Sequence, residues 1–155
     1  MIGGTLLVAG FVALDSGTLY VGRKVSQQRT AEFQGAQAFA RVIQADEKEF
    51  MSVMDGLWRN NSQSQIESAL TKLNGLEQSV DRIKKPAPTD GHLVPILDNY
   101  ANALRQWKKG LILLQETNPD ADRAHAMFKL GDRFRAEACE EFNRRYSPRR
   151  QTAAL

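Results

Sequence analysis

The sequence has little of what metal and redox sites are made from. Of its 155 residues one is a cysteine, Cys139, and two are histidines, His92 and His125. A single cysteine excludes an intramolecular disulfide framework and a cysteine-rich zinc site. We expect Cys139 to act as a small hydrophobic residue on a helix. The Glu-x-x-His motif of di-iron bundles and the Cys-x-x-Cys-His motif of covalent haem attachment are both absent.

Catalytic motifs are missing as well. The sequence has no glycine-rich phosphate loop and no grouping of serine, histidine and carboxylate that is typical of a nucleophilic triad. Its carboxylates at Glu47, Glu49, Asp55 and Glu137 are expected on solvent faces or singly in helix seams. We therefore expect no enzymatic activity, no resident cofactor and no small-molecule substrate.

What the sequence does have is helical periodicity. From about Val25 onward, apolar residues recur every three or four positions. The first predicted seam comprises Phe33, Ala36, Ala40, Ile43, Glu47, Phe50, Met54 and Leu57. Three further seams lie within 66–83, 93–114 and 127–146. Glu47 is the one carboxylate in the first seam, where we expect it to mark a wide, partly hydrated seam; a functional buried carboxylate is the alternative.

Helix boundaries are marked by prolines and capping residues. Pro86 ends the second helix, because proline lacks a backbone donor and restricts its predecessor. A capping box beginning at Ser64 predicts where that helix starts. Pro95 suits the first turn of the third helix, and Asn118 followed by Pro119 predicts the start of the fourth. Four amphipathic helices with short connections predict an all-α, up-down-up-down four-helix bundle over 33–146.

A mostly apolar run of 21 residues, 2–22, precedes this region. As a helix it would be roughly 31 Å long, which matches the hydrocarbon core of a bilayer. Asp15 lies toward one end of the run, where we expect it to face a protein partner. The chain is thus divided into a transmembrane anchor (1–22), a juxtamembrane stalk (23–32), the bundle (33–146) and a basic tail (147–155).

Two alternatives to an anchor are open for this run. A secretory signal is disfavoured because no lysine or arginine precedes the apolar residues. A β-hairpin turning at 15–17 would be an isolated two-stranded element, which is marginal in water.

Basic residues are predicted to collect at the membrane-facing end of the bundle. The candidate contacts are Arg23, Lys24, Arg29, Lys84, Lys85, Arg144, Arg145, Arg149 and Arg150, with Arg82 beside them. Such a cluster favours contact with anionic lipid or with another subunit of a membrane complex. The alternative is that cations stabilise helix C-termini. Nucleic-acid binding is not expected, since no recognition module is present.

One arrangement could hold a metal. In an antiparallel bundle, Met51 and Met54 of the first helix are predicted at the level of His125 in the fourth. A methionine–histidine pair is similar to the axial ligation of non-covalent haem in some bundles, and it also suits copper(I). Core packing by the methionines and hydration of His125 is the competing interpretation.

Several features of the bundle region occur in a fixed order. The proline-rich break at 85–88 is followed by His92 and the third helix, then by Asn118-Pro119-Asp120 and a last helix containing Gly131. In these features the chain resembles a loose class of uncharacterised bacterial exported or membrane-anchored four-helix domains. The resemblance implies a bundle on the periplasmic side of the bacterial inner membrane. The basic residues after the apolar run favour a cytoplasmic bundle instead, by the positive-inside rule.

These expectations favour a non-enzymatic, single-pass accessory subunit that braces its neighbours in a membrane complex, for example a photosynthetic or respiratory one. The first alternative is a ligand-sensing bundle, although the sequence offers only one apolar run long enough to span a bilayer. The second is an electron carrier that binds haem or copper through methionine and histidine.

Overall fold

The protein folds into four helices. The computed structural model describes residues 26–60, 62–89 and 91–146. Helix α1 spans 26–59. Its middle, Val42–Glu47, is a π-helical segment that continues into the α-helix Lys48–Arg59. Helices α2, α3 and α4 span Gln63–Lys84, Leu93–Gln115 and Ala121–Tyr146. No strand occurs within the described ranges, and the predicted all-α class is confirmed.

Consecutive helices pack antiparallel, and α4 returns to α1. Polar pairs join each neighbouring couple: Glu49 with Lys72, Glu77 with Lys108, Trp107 with Asp132, and Glu47 with Arg135. Helices α1 and α3 face each other across the centre, where Phe39 contacts Tyr100 and Phe50 contacts Trp107. These pairings describe a closed bundle in which successive helices alternate in direction.

The core follows the predicted seams of α2 and α3 closely, whereas in the predicted seam of α4 only Phe128 and Ala138 are buried. Leu104 and Trp107, which lie within the predicted seam at 93–114, are both fully enclosed. Other large side chains with almost no exposure are Tyr100, Phe39, Phe50, Leu57, Leu73, Leu76, Leu93, Ile96, Leu97 and Leu111. Such interdigitated apolar burial is the main term that stabilises a helical bundle.

Before the π-helical segment, the predicted seam of α1 is right at Ala36, which is buried, and wrong at Phe33. Phe33 is half exposed, whereas Phe39 and Val42 are buried in its place. A π-helical turn takes up more residues than an α-helical turn, so the buried face passes from Val42 directly to Glu47. Strict spacing by three and four cannot show this, because it assumes an uninterrupted α-helix. After the segment, the predicted residues Phe50, Met54 and Leu57 are buried as expected.

The N-caps of α2 and α4 each differ from the predictions by two residues. The N-cap of α2 is Ser62, whose hydroxyl pairs with that of Ser64, so the predicted capping box is wrong. The N-terminus of α4 is capped by Asp120 and not by Asn118. The Asp120 carboxylate accepts a hydrogen bond from the backbone N–H of Arg123 at 2.9 Å, as an N-cap side chain does.

Two other boundary predictions are confirmed. Pro95 is the third residue of α3, where its missing N–H leaves no helical hydrogen bond unmade. Helix α2 ends at Lys84, two residues before Pro86.

The predicted anchor at 1–22 lies outside the described residues, as do 23–25 and the tail from 147 onward. Within the part of the chain that is described, no helix is both long enough and apolar enough to cross a membrane.

Candidate functional site

The described basic residues do gather at one end of the bundle. Arg29 lies near the beginning of α1, and this end is joined to α3 and α4 through Glu32. The Glu32 carboxylate accepts hydrogen bonds from the His92 backbone N–H and from the Tyr146 hydroxyl. The chain ends of α2 and α4 bring Arg82, Lys84, Lys85, Arg144 and Arg145 to the same level. Asp15, Arg23, Lys24, Arg149 and Arg150 lie outside the described residues.

Of the six basic residues that the structure describes at this end, three form ion pairs within the fold. Lys84 pairs with Asp98 on α3, a partner that sequence spacing gave no reason to choose. Arg144 and Arg145 both pair with Glu141 one turn earlier on α4. The remaining three, Arg29, Arg82 and Lys85, are exposed and form no ion pair with any described residue. We call these three the basic end.

A second polar feature lies inside the bundle at Glu47. Its side chain is 3% exposed, and it accepts hydrogen bonds from the Tyr100 hydroxyl at 2.6 Å and from the Arg135 Nε at 2.7 Å. The Arg135 Nη2 contacts the same carboxylate. Burial, followed by the neighbouring Glu47 charge, raises the pKa of Tyr100. The hydrogen bond that Arg135 donates to Glu47 raises the pKa of Arg135, so the guanidinium stays charged.

The predicted partly hydrated seam around Glu47 is therefore wrong. The carboxylate is enclosed and its partners come from two other helices. A buried charge is tolerated only when it is paired and hydrogen-bonded, and Tyr100 and Arg135 supply both conditions. The available sequence signal for this site was the presence of one carboxylate, Glu47, in an otherwise apolar seam. It did not show that Arg135, 88 positions later, would meet it.

Cys139 lies one turn beyond Arg135 and is half-buried. Burial raises the pKa of the Cys139 thiol, and the opposing effect of Arg135 is smaller. The protonated thiol is thus favoured at neutral pH, and it is a poor nucleophile compared with a thiolate.

A groove of about 600 Å³ lies between α3 and α4. Its carboxylates are compensated by neighbours within the fold: Asp98 by Lys84, Glu137 by Arg133, and Glu141 by Arg144 and Arg145. The hydrogen bond from Arg133 lowers the pKa of Glu137, and that from Arg145 lowers the pKa of Glu141. The groove therefore presents little uncompensated charge to a ligand.

A smaller pocket of about 120 Å³ lies toward the opposite end of the bundle from Arg29. It is lined by four aromatic rings, two methionines and two carboxylates: Phe50, Trp58, Trp107, Phe128, Met51, Met54, Asp55 and Asp132. Three of its rings are buried, whereas Trp58 is 54% exposed. We call this the aromatic pocket.

Two ring pairs and one hydrogen bond hold the aromatic pocket in shape. Trp58 stands edge-on to Phe128, with ring centroids 5.1 Å apart. Phe50 and Trp107 lie 5.4 Å apart at an interplanar angle of 30°. The Trp107 Nε1–H donates to the Asp132 carboxylate at 3.0 Å, which fixes both side chains. A buried indole N–H needs such a partner.

Two glycines make room for these rings. A Cβ added at Gly131 would lie 2.4 Å from Trp107 Cδ1, and one added at Gly110 would lie 2.8 Å from Phe128 Cζ. Both distances are shorter than van der Waals contact allows. Helices α3 and α4 thus approach each other closely here because these positions carry no side chain.

The residues named as candidate haem or copper ligands are placed as follows. Met51 and Met54 both line the aromatic pocket. His125 is exposed near the start of α4 and does not line it. Within the described residues, no group of three or more histidine, cysteine, aspartate or glutamate side chains is arranged to hold a metal ion.

In comparisons with known proteins, no family model, curated protein or solved structure matches the chain.

Proposed function

We propose that this protein is a non-enzymatic accessory subunit, anchored in a bacterial inner membrane by 2–22, whose bundle contacts another subunit of a membrane complex. The observation that carries the proposal is the basic end. Arg29 is far in sequence from Arg82 and Lys85, which lie at the C-terminal end of α2, and all three are exposed without an ion-pair partner among the described residues.

The position of the basic end relative to the apolar run supports this assignment. The run at 2–22 precedes α1 by a few residues, so an anchor would hold the beginning of α1, and with it the basic end, at the membrane surface. Polybasic contacts with an anionic surface contribute about 1 kcal/mol for each lysine or arginine. The same three charges suit an acidic surface on a neighbouring subunit. We place the bundle on the periplasmic side, with the cytoplasmic side as the alternative.

A non-enzymatic role is supported by how the polar groups are used. Glu47, the most enclosed carboxylate, is engaged by Tyr100 and Arg135. His92 and His125 belong to opposite ends of the bundle. Neither histidine is therefore placed to act with the other in acid–base catalysis, which requires groups within hydrogen-bonding reach.

Membrane extraction of the full chain tests the anchor. We expect the protein to remain with membranes after alkaline carbonate treatment. A variant carrying Phe11→Lys and Val12→Lys should appear in the soluble fraction, since charges near the centre of a spanning segment are strongly unfavourable. Recovery of the unaltered full chain in the carbonate-soluble fraction would contradict the anchor.

Co-purification tests the role of the basic end. In mild detergent, the full chain is expected to retain a partner subunit in stoichiometric amount. Replacing Arg29, Arg82 and Lys85 with Gln should release that partner at lower salt, because screening strengthens as the Debye length shortens. The matched control replaces three exposed lysines elsewhere on the bundle, Lys48, Lys109 and Lys129. Equal salt resistance of both triple variants, or purification of the full chain alone, would refute the proposal.

A further inference from the structure

We propose that the aromatic pocket binds the quaternary ammonium group of a small soluble compound, through contacts of its methyl groups with the aromatic rings. This inference goes beyond the proposed function, and its physical basis does not depend on the anchor. It rests on the lining of the pocket, its charge, its size and its access to solvent.

The lining is of the kind that attracts a methylated cation. The face of an aromatic ring carries negative electrostatic potential, and tryptophan attracts cations most strongly. Both tryptophans of the chain, Trp58 and Trp107, line this one pocket together with Phe50 and Phe128. The polarizable thioethers of the two methionines add soft apolar contacts that adapt to ligand shape.

The charge of the pocket points the same way. Asp55 and Asp132 lie beside the rings, and neither has a lysine or arginine within ion-pair distance among the described residues. The Asp132 carboxylate receives one hydrogen bond, from Trp107. The aromatic pocket therefore contains two carboxylates with no countercharge supplied by the fold, in contrast to the paired carboxylates of the larger α3–α4 groove.

Size and access fit a compact cation. The volume of about 120 Å³ is somewhat smaller than the engineered cavity of about 150 Å³ that admits benzene. Tetramethylammonium is a ligand of that scale, whereas a nucleotide or a haem is far too large. The half exposure of Trp58 leaves one wall of the pocket open to solvent, so a ligand can enter without unfolding of the bundle.

The position of the pocket favours a soluble ligand over a lipid headgroup. Trp58 lies 29 residues after Arg29 on α1, which corresponds to about 40 Å along a helix. If the basic end faces the membrane, choline headgroups of that membrane cannot reach the aromatic pocket. A free quaternary ammonium compound can.

Intrinsic fluorescence gives a direct readout, because both tryptophans line the pocket. The full chain is kept in a maltoside detergent, whose headgroup contains no ammonium group, and is titrated with tetramethylammonium chloride. We expect a saturable change in emission with Kd of about 1 mM or tighter. Neutral tert-butanol, which is similar in size, should give no saturable change, and neither should sodium chloride at the same ionic strength.

Three variants identify the groups responsible. Trp58→Ala should weaken binding by about five-fold or more, because it removes a cation–π partner. Asp55→Asn should weaken it by about two- to five-fold, as expected for one exposed charge. The matched control is Phe33→Ala, which removes another half-exposed aromatic ring of α1 and should leave Kd unchanged.

The source of the ligand is distinguished by comparing choline with phosphatidylcholine vesicles that carry the reconstituted full chain. Saturation by free choline in vesicles of phosphatidylcholine shows that the headgroups do not occupy the pocket. A pocket already saturated in those vesicles, and free in vesicles of phosphatidylglycerol, would overturn the assignment to a soluble ligand. Any of three results would overturn the proposed site. These are an equal response to tert-butanol and tetramethylammonium, the lack of a saturable response, and unchanged binding by the Trp58→Ala variant.

Discussion

The Glu47 carboxylate lies against the Arg135 guanidinium, which joins the π-helical segment of α1 to the middle of α4 through the interior of the bundle. Because the pair can form at only one relative height of the two helices, it specifies their axial register. Sliding one helix by a single turn would move the partners about 5.4 Å apart and leave Glu47 buried without a countercharge. A hydrophobic seam alone discriminates only weakly between axial registers that differ by one helical turn.

Removing this carboxylate should destabilise the fold. Loss of one partner of a buried ion pair costs about 3–5 kcal/mol, but Arg135 is 35% exposed and water can hydrate it once Glu47 is gone. We therefore expect Glu47→Ala to lower the free energy of unfolding by about 2 kcal/mol. Urea unfolding of the full chain in detergent, followed by far-ultraviolet circular dichroism, measures the change.

The control for that experiment is Glu49→Ala, two residues further along α1. Glu49 is exposed and pairs with Lys72 at the surface, so its loss should cost less than about 1 kcal/mol. Equal effects of the two substitutions would mean that Glu47 is hydrated in solution.

Stability should fall in alkaline solution because of Tyr100. Its phenol is buried and its pKa is raised above the ordinary value of 10. Above about pH 10 the unfolded chain releases the phenolic proton while the folded chain retains it, so each further pH unit lowers the free energy of unfolding by about 1.4 kcal/mol. Below that pH both states keep the proton, and Tyr100 contributes no pH dependence.

Tyr100→Phe isolates this contribution. The variant loses the hydrogen bond to Glu47, so we expect lower stability than that of the unaltered chain below about pH 10. Its stability should nevertheless decline less steeply above about pH 10, since it has no proton to release at this position. Parallel pH profiles for the two proteins, obtained from urea midpoints, would show that Tyr100 ionises equally easily in the folded state.

Adding a methyl group should have opposite effects at two helical glycines. Gly131→Ala places a Cβ 2.4 Å from Trp107 Cδ1, and overpacking of this kind costs about 1–3 kcal/mol. At Gly75 on α2 an added Cβ meets no atom within 4 Å, so Gly75→Ala should stabilise by about 0.5–1 kcal/mol through helix propensity. Thermal unfolding compares them, and a stabilising Gly131→Ala would show that α3 and α4 are further apart than described.

The centre of the bundle should tolerate truncation poorly. Leu104 is fully enclosed on α3, and Leu104→Ala is expected to cost about 2–5 kcal/mol by leaving a cavity. Ile112, on the same helix, is half exposed. Ile112→Ala should change stability by less than about 0.5 kcal/mol. A loss at Leu104 as small as that at Ile112 would place this face of α3 in solvent.

Much of the helical framework could be predicted from the sequence. The seams of α2 and α3 are regular, because residues such as Leu73, Leu97 and Leu104 repeat at the period of an α-helix and face the core continuously. Pro86 and Pro95 were informative for the same reason, since the effect of proline on backbone geometry is local.

The residues that give the bundle its individual features could not be predicted in this way. The π-helical segment interrupts the α-helical period that the prediction of the first seam assumes. That prediction therefore places Phe33 in the core, whereas the structure buries Phe39. The aromatic pocket combines side chains from α1, α3 and α4, among them Trp58 and Asp132. Their proximity depends on how closely the helices approach, which two glycines decide, and no local pattern records that distance.

The π-helical segment also sets where the chain can change length. Deleting one residue from Val42–Glu47 would allow α1 to continue with regular α-helical hydrogen bonds. The same deletion would keep 26–41 facing the core, because the five-residue step from Val42 to Glu47 would become the four-residue step of an α-helical face, and Phe39 would retain its ring partners Tyr100 and Phe142. Insertions and deletions are ordinarily absorbed by connecting loops. In this bundle, the middle of α1 is therefore a position inside a helix where related chains can differ in length by one residue while both flanking faces keep their packing.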